Sequence, residues 1–503
     1  MNLRPYQNDA VNAIEAGWND FRKQLAVLPT GGGKTIIFSH LAMRRWQRCH
    51  GRTLILAHRD ELIRQAADKL HKATGIIAEV EKADEHASLD APVVVASVQS
   101  LHKDRIGKFS PDHFSLVVAD EAHHALSNQW RGVLDYFSEA DTLGVTATPD
   151  RGDKRNLGEF FENIAIDVSL LSLIKDGYLC DIKVQSVPIK IDLSTVKTTA
   201  GDFDDRGLGD AIVPWLETIC GEIARIAPFR RTLVFTPLID TSRKFVTIAR
   251  RMGLNAEHVD GNSPDRDDIK DRFASGQIDI VSNAMLWTEG FDDPGIDCIV
   301  ILRPTKSRAL FSQMVGRGTR VAPFKSDLLL LDFLWLHEKH KIVKPASLIA
   351  KDEIEAETMS ELIELSPGGQ MDLIEVAGTA TAQREAALKR KLAENKGRKG
   401  MTLSAEDWCL ANGRYDIADY EPVMKWESGP PTEKQLAMLK RAKVDPASVT
   451  SKGMAAKIIS AFLAQKKLVL ASPKERAFAM KFLGAEPPDN FTRAEFRKLM
   501  AQR

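Results

Sequence analysis

The sequence predicts an α/β protein with two tandem, doubly wound parallel-sheet lobes followed by a mostly helical C-terminal region. Two blocks of the 503-residue chain alternate short β-branched or apolar runs with amphipathic stretches, which is the pattern of strand–helix–strand units. Most of these runs are almost continuously apolar, as expected for parallel strands that are buried on both faces. After about residue 345 the strand pattern stops, and mixed-charge helical segments follow.

Each of the two blocks contains five predicted strands. Those of the first block lie at 24–28, 53–57, 93–96, 116–119 and 142–146. Those of the second block lie at 231–235, 256–259, 279–283, 298–302 and 327–331. The polar, Gly- and Asp-rich stretch at 192–210 is predicted to be a loop or lid, because it is rich in turn-forming residues. We therefore expect one lobe at 1–168 and a second lobe at 169–344.

The remaining residues are expected to form an accessory, mostly helical region at 345–428 and a basic helical module at 431–503. Within this module two segments share one plan of cap, helix, turn, second cap and second helix, which indicates a weak internal repeat. The module contains 15 Lys and Arg against 6 Asp and Glu. This excess of positive charge fits a solvated helical surface or a nucleic-acid-binding module. A docking site for a protein partner is a further alternative.

Composition excludes several classes of protein. Lys and Arg together number 69, and so do Asp and Glu, so any affinity for nucleic acid has to come from a local basic surface. The five cysteines are far apart and form no C-x-x-C pair, which argues against a zinc site and a disulfide framework. The N-terminus does not resemble a signal peptide, and no apolar run is long enough to span a membrane. We therefore expect a cytoplasmic protein without a membrane partner.

A glycine-rich loop predicts a phosphate site. LPTGGGKT at 28–35 follows a predicted strand and precedes an amphipathic stretch. In such a loop the backbone N–H groups converge on phosphates, and the following helix points its positive N-terminus at the same anion. Lys34 is expected to neutralise the β- and γ-phosphates of ATP, and the Thr35 hydroxyl to coordinate Mg²⁺. The predicted nucleotide-binding residues of this loop are Thr30, Gly31, Gly32, Gly33, Lys34 and Thr35.

A second motif complements this loop. VVADEAHH at 117–124 is an apolar strand that delivers two carboxylates at its C-terminal end, where doubly wound sheets bind their ligands. Asp120 is the expected Mg²⁺ partner, and Glu121 is the expected base that polarises the attacking water. His123 and His124 are not placed like zinc ligands, and His123 is expected to couple the ATP site to the neighbouring strand end. The two motifs together predict a site that hydrolyses ATP with Mg²⁺.

GGGKT and DEAH, with the motifs that follow in order, resemble the superfamily 2 helicases of the DEAD/DEAH type over most of residues 4–320. The resemblance implies two RecA-like lobes with ATP in the cleft between them. RPYQ at 4–7 resembles the adenine-recognition motif of this superfamily. By that resemblance, Gln7 would contact the adenine edge and Arg4 would stack on the base.

Two segments of the second lobe resemble nucleotide-facing motifs. VSNAMLWTEGFDDPGID at 281–297 resembles motif V, and QMVGRGTR at 313–320 resembles motif VI. The resemblance implies that arginines of motif VI stabilise charge on the γ-phosphate in the transition state. Because the polar residues of motif VI recur three or four apart, they would line one face if this segment is a helix. The residues assigned in these two motifs are Gly290, Asp292, Gln313, Arg317 and Arg320.

Other segments resemble the motifs with which superfamily 2 helicases hold the nucleic-acid backbone. They are motif Ia in LAHRDELIRQ, motif Ib in ASVQSL, motif IV in LVFTPLIDTSRKF, and motif V. Hydroxyls, amides and N–H groups suit phosphate contacts that carry no sequence information. The candidate nucleic-acid contacts are His58, Arg59, Ser97, Gln99, Ser100, Thr236 and Thr288. GVTATPDR at 144–151 resembles motif III, which implies that Thr146 and Thr148 link the two sites.

The motifs AHRDE and QMVGRGTR differ from those of RNA-directed DEAD-box members and look closer to the DNA-directed group, nearest to RadD-like bacterial and phage helicases. The resemblance implies an ATP-dependent DNA helicase or translocase with a role in DNA repair, recombination or replication. Single-stranded or branched DNA is the expected partner, RNA is less favoured, and a monomer is the default because one chain holds both lobes. The C-terminal third lacks the cysteine cluster associated with RadD-like C-termini, so this resemblance does not assign its role.

The motifs leave three alternatives open and disfavour a fourth. The shared motifs fit a translocase that moves on duplex DNA without separating strands, and they fit an RNA helicase. A motor component of a restriction or nuclease system would need a metal-binding carboxylate cluster outside the lobes, and Asp416, Asp419 and Glu421 are too loosely spaced to favour one. A nucleic-acid-binding protein with an inactive ATP site is disfavoured, because Lys34 and Glu121 are both present.

Overall fold

The computed structural model describes residues 3–501, with gaps at 58–59, 84, 102, 126, 148–156, 200, 285–292, 337–341, 351–352, 367, 395–402, 413, 415–416, 418–419, 421, 423–424, 468–472, 484–486, 488–490 and 492. The chain divides into two compact units, Met1–Ala380 and Thr381–Arg503. The first unit contains two sheets of seven strands each, so the predicted architecture of two tandem α/β lobes is confirmed.

The sheet of the first lobe is parallel throughout. Its strands are β1 (Lys23–Val27), β2 (Thr53–Ala57), β3 (Glu79–Glu81), β4 (Val93–Ser97), β5 (Leu116–Asp120), β6 (Asp141–Thr146) and β7 (Asn163–Asp167). They lie in the order β3-β4-β2-β5-β6-β1-β7. The five predicted strands are all present. The sequence does not predict the two edge strands, because β3 has only three residues and β7 is only partly buried.

Helices cover both faces of this sheet. They are α1 (Pro5–Gly17), α2 (Lys34–Cys49), α3 (Asp60–Thr74), α4 (Val98–Leu101) and α5 (Asn128–Tyr136). Ala26 and Val118 pack on one face with buried residues of α1, α2 and α3, whereas their neighbours Leu25 and Val117 pack on the other face with residues of α5. Successive strand residues therefore face opposite layers, which explains why the strands are apolar throughout.

The sheet of the second lobe is parallel except at one edge. Its strands are β8 (Asp181–Asp192), β11 (Thr232–Phe235), β12 (Ala256–Val259), β13 (Ile280–Asn283), β14 (Cys298–Ile301), β15 (Asp327–Leu336) and β16 (Gln370–Asp372). They lie in the order β12-β13-β11-β14-β15-β8-β16, and only β16 is antiparallel to its neighbour. A separate hairpin consists of β9 (Thr198–Thr199) and β10 (Asp202–Phe203). The five strands predicted for this lobe are present.

Helices that follow the first lobe surround this second sheet, and the last of them begins in the first unit and ends beyond Ala380. They are α6 (Leu170–Lys175), α7 (Asp205–Ile212), α8 (Leu216–Ile226), α9 (Ile239–Arg251), α10 (Arg266–Ala274), α11 (Arg308–Val315), α12 (Glu353–Glu364) and α13 (Leu373–Glu394). Met359, Ile363 and Leu373 are buried in the same core as Ile299 of β14. The core of the second lobe therefore continues past residue 345, where the sequence predicts a new region.

The stretch at 192–210 is not a loop, contrary to the prediction. It contains the β9–β10 hairpin and the beginning of α7. The Asp202 carboxylate accepts a hydrogen bond from Thr305 Oγ1 at 2.5 Å, and Arg303 pairs with Asp205 at 3.0 Å. Charged residues that indicate a solvated loop in the sequence therefore fasten this segment to the chain after β14.

The second unit is mostly helical, as predicted. Its helices are α14 (Ala405–Ala411), α15 (Glu433–Arg441), α16 (Lys452–Lys467), α17 (Pro473–Leu483) and α18 (Arg493–Ala501). Trp408 and Ile417 share one core with Leu439 and Ile458, so residues of the predicted accessory region and of the predicted basic module pack together. Among the described residues, no helix combines the length and apolar character needed to cross a membrane.

Two turns of the second lobe share a strained backbone. Ala-Pro-Phe-Arg at 227–230 and Ala-Pro-Phe-Lys at 322–325 each close with a hydrogen bond from the fourth N–H to the first carbonyl, at 3.3 and 3.2 Å. Phe229 and Phe324 have φ angles of 66° and 67°, and both side chains are fully exposed. With Pro at the second position, such a turn favours glycine at the third. A bulky residue there costs about 1–2 kcal/mol.

Replacing either phenylalanine with glycine should therefore stabilise the protein. For Phe229→Gly and Phe324→Gly we expect a gain of about 0.5–1 kcal/mol each, because relief of the left-handed strain exceeds the added entropy of the unfolded chain. The measurement is the midpoint of thermal unfolding. Phe229→Ala and Phe324→Ala are the matched controls, since alanine also removes the ring but keeps the strain. A gain that is equal for alanine and glycine would contradict this account of the turns.

Candidate functional site

The glycine-rich loop connects β1 to α2 and has a backbone that requires glycine. Gly31 and Gly33 have φ angles of 86° and 80°, in the left-handed region. A Cβ atom on Gly33 would also collide with the Gln7 amide. The helix α2 begins at Lys34, so its N-terminal N–H groups face the same space as the loop. The loop is therefore built to surround an anion with backbone donors.

A buried ion pair lies beside this loop. Lys34 Nζ is 2.9 Å from Glu121 Oε1, and both side chains are largely buried. Burial lowers the pKa of Lys34, but the carboxylates of Glu121 and Asp120 outweigh burial and raise that pKa above its usual value. Glu121 follows the end of β5 with a left-handed φ of 55°. His123 Nδ1 lies 3.5 Å from the second carboxylate oxygen of Glu121. The expected base is thus held between an ammonium and an imidazole.

The second lobe reaches the same place with the segment after α11. Gly316 approaches Thr30 so closely that a Cβ on Gly316 would collide with the Thr30 side chain. Arg317 is buried, and its positive charge opposes the rise in the pKa of Lys34. Two lobes therefore bring cations towards one site. The buried Gln313 lies in α11 itself.

The segment that carries the two predicted arginines is not helical. The helix α11 ends at Val315. Arg317 follows in a turn, and Arg320 lies in an extended stretch that forms an antiparallel bridge with Leu179. The condition under which Gln313 and both arginines would line one helical face is therefore not met, because two glycines, at 316 and 318, interrupt the helix.

The predicted base-recognition residues contact both lobes. Gln7 Oε1 accepts a hydrogen bond from the Arg4 N–H at 3.0 Å, and Gln7 Nε2 donates to Tyr6 Oη at 3.3 Å. Tyr6 in turn donates to the Gly32 carbonyl at 2.8 Å. Arg4 donates to the carbonyl of Tyr178, and the rings of Tyr6 and Tyr178 are 4.8 Å apart. Gln7 is thus linked to the phosphate loop through Tyr6, and Arg4 is held by Tyr178 in the segment that connects the lobes.

Tyr6 and Tyr178 are site residues that the sequence does not identify. Tyr6 lies inside RPYQ, so its position in that motif could have singled it out. Tyr178 lies between α6 and β8, in a segment that matches none of the motifs, and only the tertiary contacts show its place.

The predicted nucleic-acid contacts differ in accessibility. At the end of β4, Ser97 Oγ donates to Gln99 Oε1 at 2.6 Å, and Ser100 Oγ accepts a hydrogen bond from the Ala83 N–H at 3.3 Å. Thr236 is fully buried, and its hydroxyl faces the carbonyls of Leu238 and Asn283 at 3.2 and 3.1 Å. Its hydroxyl therefore points into the lobe. The predicted residues that lie outside the described part of the chain are His58, Arg59, Thr148, Thr288, Gly290 and Asp292.

A serine–histidine–aspartate network lies at the carboxyl end of β12. His258 Nδ1 is 2.7 Å from Ser242 Oγ, and His258 Nε2 is 2.9 Å from Asp260 Oδ2. The hydrogen bond from His258 lowers the pKa of Asp260 to about 2. Ser242 is fully buried and also contacts Ser282 Oγ at 2.7 Å, so its hydroxyl is no accessible nucleophile. The network orders the Asp260–Ser263 turn, where Asp260 N donates to Ser263 Oγ at 2.9 Å.

Comparisons with known proteins place two domain families on this chain. Residues 1–151 match the family described as "Type III restriction enzyme, res subunit", and residues 215–322 match "Helicase conserved C-terminal domain". The chain is 35% identical over 376 residues to the putative ATP-dependent helicase IRC3 of Saccharomyces cerevisiae, covering 70% of this chain and 54% of that protein.

Two further similarities agree with these matches. The chain is 32% identical over 360 residues to the putative mitochondrial ATP-dependent helicase irc3 of Schizosaccharomyces pombe, covering 66% of this chain and 57% of that protein. It thus spans little more than half the length of either relative. A solved fragment of a putative HsdR subunit of a type I restriction enzyme from Vibrio vulnificus YJ016 has the same fold, with a TM-score of 0.53 and 22% identity over 68% of this chain and 70% of that one.

The Lys34–Glu121 pair should be measurable as a coupling energy. Lys34→Met leaves a buried carboxylate without its hydrogen-bonding cation, so we expect the free energy of unfolding in the absence of ligand to fall by about 1–3 kcal/mol. The double variant Lys34→Met/Glu121→Gln should recover most of this loss. Thermal unfolding of the two single variants and the double variant measures the coupling. A double variant as unstable as Lys34→Met would show that the two charges do not depend on each other.

Proposed function

The chain belongs to the superfamily 2 helicases, and we propose that it is an ATP-dependent DNA helicase or translocase that hydrolyses ATP between its two lobes and moves along or unwinds DNA. One observation carries the proposal. The first lobe pairs Lys34 with Glu121 beside the glycine-rich loop, and the second lobe holds the buried Arg317 close enough to act on the Lys34 charge. Such a divided site couples hydrolysis to the relative position of two lobes.

The resting ion pair gives the site a defined sequence of contacts. A triphosphate that enters the loop competes with Glu121 for Lys34 Nζ, which is 2.9 Å from the carboxylate beforehand. Lys34 then neutralises phosphate oxygens, and the released Glu121 carboxylate accepts a proton from the attacking water. Arg317 and Arg320 stabilise the charge that develops on the γ-phosphate, a contribution on the order of 10³-fold in rate. Repositioning of Lys34 thereby ties activation of the base to occupancy of the site.

The oxygen donors near the loop fit Mg²⁺. Thr35 lies in the first turn of α2, directly after Lys34. Asp120 is the last residue of β5, and its carboxylate is close enough to Lys34 to raise the pKa of that lysine. A hydroxyl and a carboxylate are ligands that Mg²⁺ accepts together with phosphate oxygens. In bound form the ion would neutralise the β- and γ-phosphates. In the part of the chain that the structure describes, no group of three or more His, Cys, Asp and Glu could hold a metal by itself, so the substrate would have to complete this coordination.

The choice of DNA rests on motifs Ia and VI, which look closer to the DNA-directed group, and on the restriction-enzyme family that residues 1–151 match. A role as the motor component of a restriction system is the second candidate, supported by the same match and by the fold of the HsdR fragment. An RNA substrate is the third. The RadD-like placement and a role in repair, recombination or replication stay predictions.

ATP turnover with different nucleic acids tests the proposal. We expect single-stranded or forked DNA to stimulate ATP hydrolysis more than RNA does, with Lys34→Ala as the blank. Glu121→Gln should still bind a fluorescent ATP analogue but lose at least about 10²-fold in turnover, because only the base is removed. Stimulation by RNA alone would replace the DNA assignment, and no stimulation by any nucleic acid would refute a motor. Cleavage of the DNA in the same reactions would favour the restriction candidate.

The basic module at 431–503 is proposed to grip the DNA backbone. Lys434, Lys440 and Lys481 are exposed, so each can neutralise a phosphate. Replacing all three with glutamine should weaken DNA binding and flatten the dependence of log K on log salt concentration by up to about 0.9 for each phosphate that is no longer neutralised. Binding isotherms at several salt concentrations measure both quantities, and Lys190→Gln in the second lobe is the control, since Lys190 is exposed and lies outside the assigned motifs. Unchanged affinity and slope would favour a protein-docking role for the module.

A further inference from the structure

Two backbone carbonyls of the loop at 316–320, here called the arginine loop, accept hydrogen bonds from one ammonium group. Lys325 Nζ donates to the carbonyls of Gly318, of Arg320 at 2.8 Å and of Pro294 at 3.4 Å. An ammonium has three N–H donors, and three backbone carbonyls accept them here. Lys325 is partly buried, and it belongs to none of the motifs assigned from the sequence.

The contacts of Lys325 tie together two segments of the nucleotide site. Gly318 and Arg320 belong to the arginine loop, while Pro294 lies within the segment that resembles motif V. Burial lowers the pKa of Lys325 below its usual value, and repulsion from the nearby Arg320 lowers it further. The ammonium offsets that cost with its hydrogen bonds, because a neutral side chain could not donate to three carbonyls at once.

Other contacts also hold the middle of the arginine loop, and Lys325 binds its last residue as well. The Thr319 carbonyl accepts from the Cys180 N–H at 2.8 Å, and the Thr319 hydroxyl donates to the Gly316 carbonyl at 3.1 Å. Cys180 Sγ donates to the Gly318 carbonyl at 3.4 Å. The Arg320 carbonyl accepts from Lys325 Nζ, and the direction of that carbonyl is set by the same backbone from which the Arg320 side chain starts.

We infer that Lys325 is a positioning residue for ATP hydrolysis: by binding the carbonyls on both sides of Thr319, it aims the arginines of this loop at the γ-phosphate. The inference rests on the proposed function. Lys325 contacts no phosphate itself and acts only through the backbone of the arginine loop. Misplacing a catalytic group by about 1 Å can cost on the order of 10²-fold in rate, whereas binding of the ground state depends mainly on the first lobe.

Steady-state ATP hydrolysis by the full chain with DNA tests this role. For Lys325→Met we expect kcat to fall about 10- to 100-fold while KM for ATP changes less than about threefold. Lys325→Arg keeps a charge and several donors, so it should recover most of kcat. In an Arg320→Ala background, Lys325→Met should add little further loss, because both changes remove the same interaction. Lys344→Met is the matched control, since Lys344 of the same lobe pairs with the Glu364 carboxylate at 2.6 Å rather than with carbonyls of the loop.

Binding measurements separate positioning from folding. Lys325→Met should bind ADP as the unmodified protein does, but it should lose the tighter binding of ADP with aluminium fluoride, which mimics the transition state. If Lys325→Met does not fold, the same comparison is made with Lys325→Gln. Wild-type kcat in the variant, or losses that multiply with those of Arg320→Ala, would overturn the inference. Absence of DNA-stimulated hydrolysis in the unmodified protein would instead refute the proposed function.

Discussion

Charge compensation in the cleft between the lobes is the constraint on which the rest of the site depends. Lys34 is buried, and Arg317 approaches it from the second lobe with the same sign of charge. Burying such cations is unfavourable unless carboxylates accompany them. Glu121 and Asp120 supply that compensation before a ligand is present. Only a ligand that brings comparable negative charge can take their place, so the resting structure itself favours a polyphosphate over a neutral ligand.

The parallel sheets bring these charges together. The loop before Lys34 and the carboxylates of 120–121 follow β1 and β5, so they meet at the carboxyl edge of the first sheet. The second lobe contributes from its opposite edge. After the carboxyl end of β14 the chain runs back along the sheet as α11. The arginine loop follows α11 and therefore lies near the amino end of β15. The carboxyl edge of one sheet thus meets the amino edge of the other, where Gly316 contacts Thr30.

The sequence was sufficient for elements whose signal is local. Strands buried on both faces are continuously apolar, so all ten predicted strands are present. The strand β8 could not be recognised because its buried residues change face halfway, from Ile182 and Val184 to Val187 and Ile189. The hairpin before α7 was hidden for another reason. Its acidic residues indicate solvent exposure, yet Asp202 is satisfied by Thr305, which lies far away in the sequence.

Site residues follow the same division. The glycine loop and DEAH carry their chemistry in adjacent residues, so their proximity could be predicted from the order of strands and is seen in the Lys34–Glu121 contact. Tyr178 contacts the ring of Tyr6 and accepts a hydrogen bond from Arg4, and Lys325 donates to the Arg320 carbonyl. These contacts join residues whose local sequence patterns do not predict them. Thr236 shows the converse case, since a motif placed its hydroxyl among the nucleic-acid contacts while packing turned it inward.

The segment at 178–180 gives the two ends of the nucleotide site a common support. Tyr178 contacts Arg4 and Tyr6, where the base is expected. Two residues later, Cys180 donates its N–H to Thr319 in the arginine loop at 2.8 Å. This segment is also the connection between α6 and β8. A shift of the second lobe that moves this connection must therefore act on the base end and on the arginines together, because three consecutive residues of extended chain span only about 10 Å. Under the proposed function, a base bound at Arg4 would therefore be linked to the arginine loop through three consecutive residues.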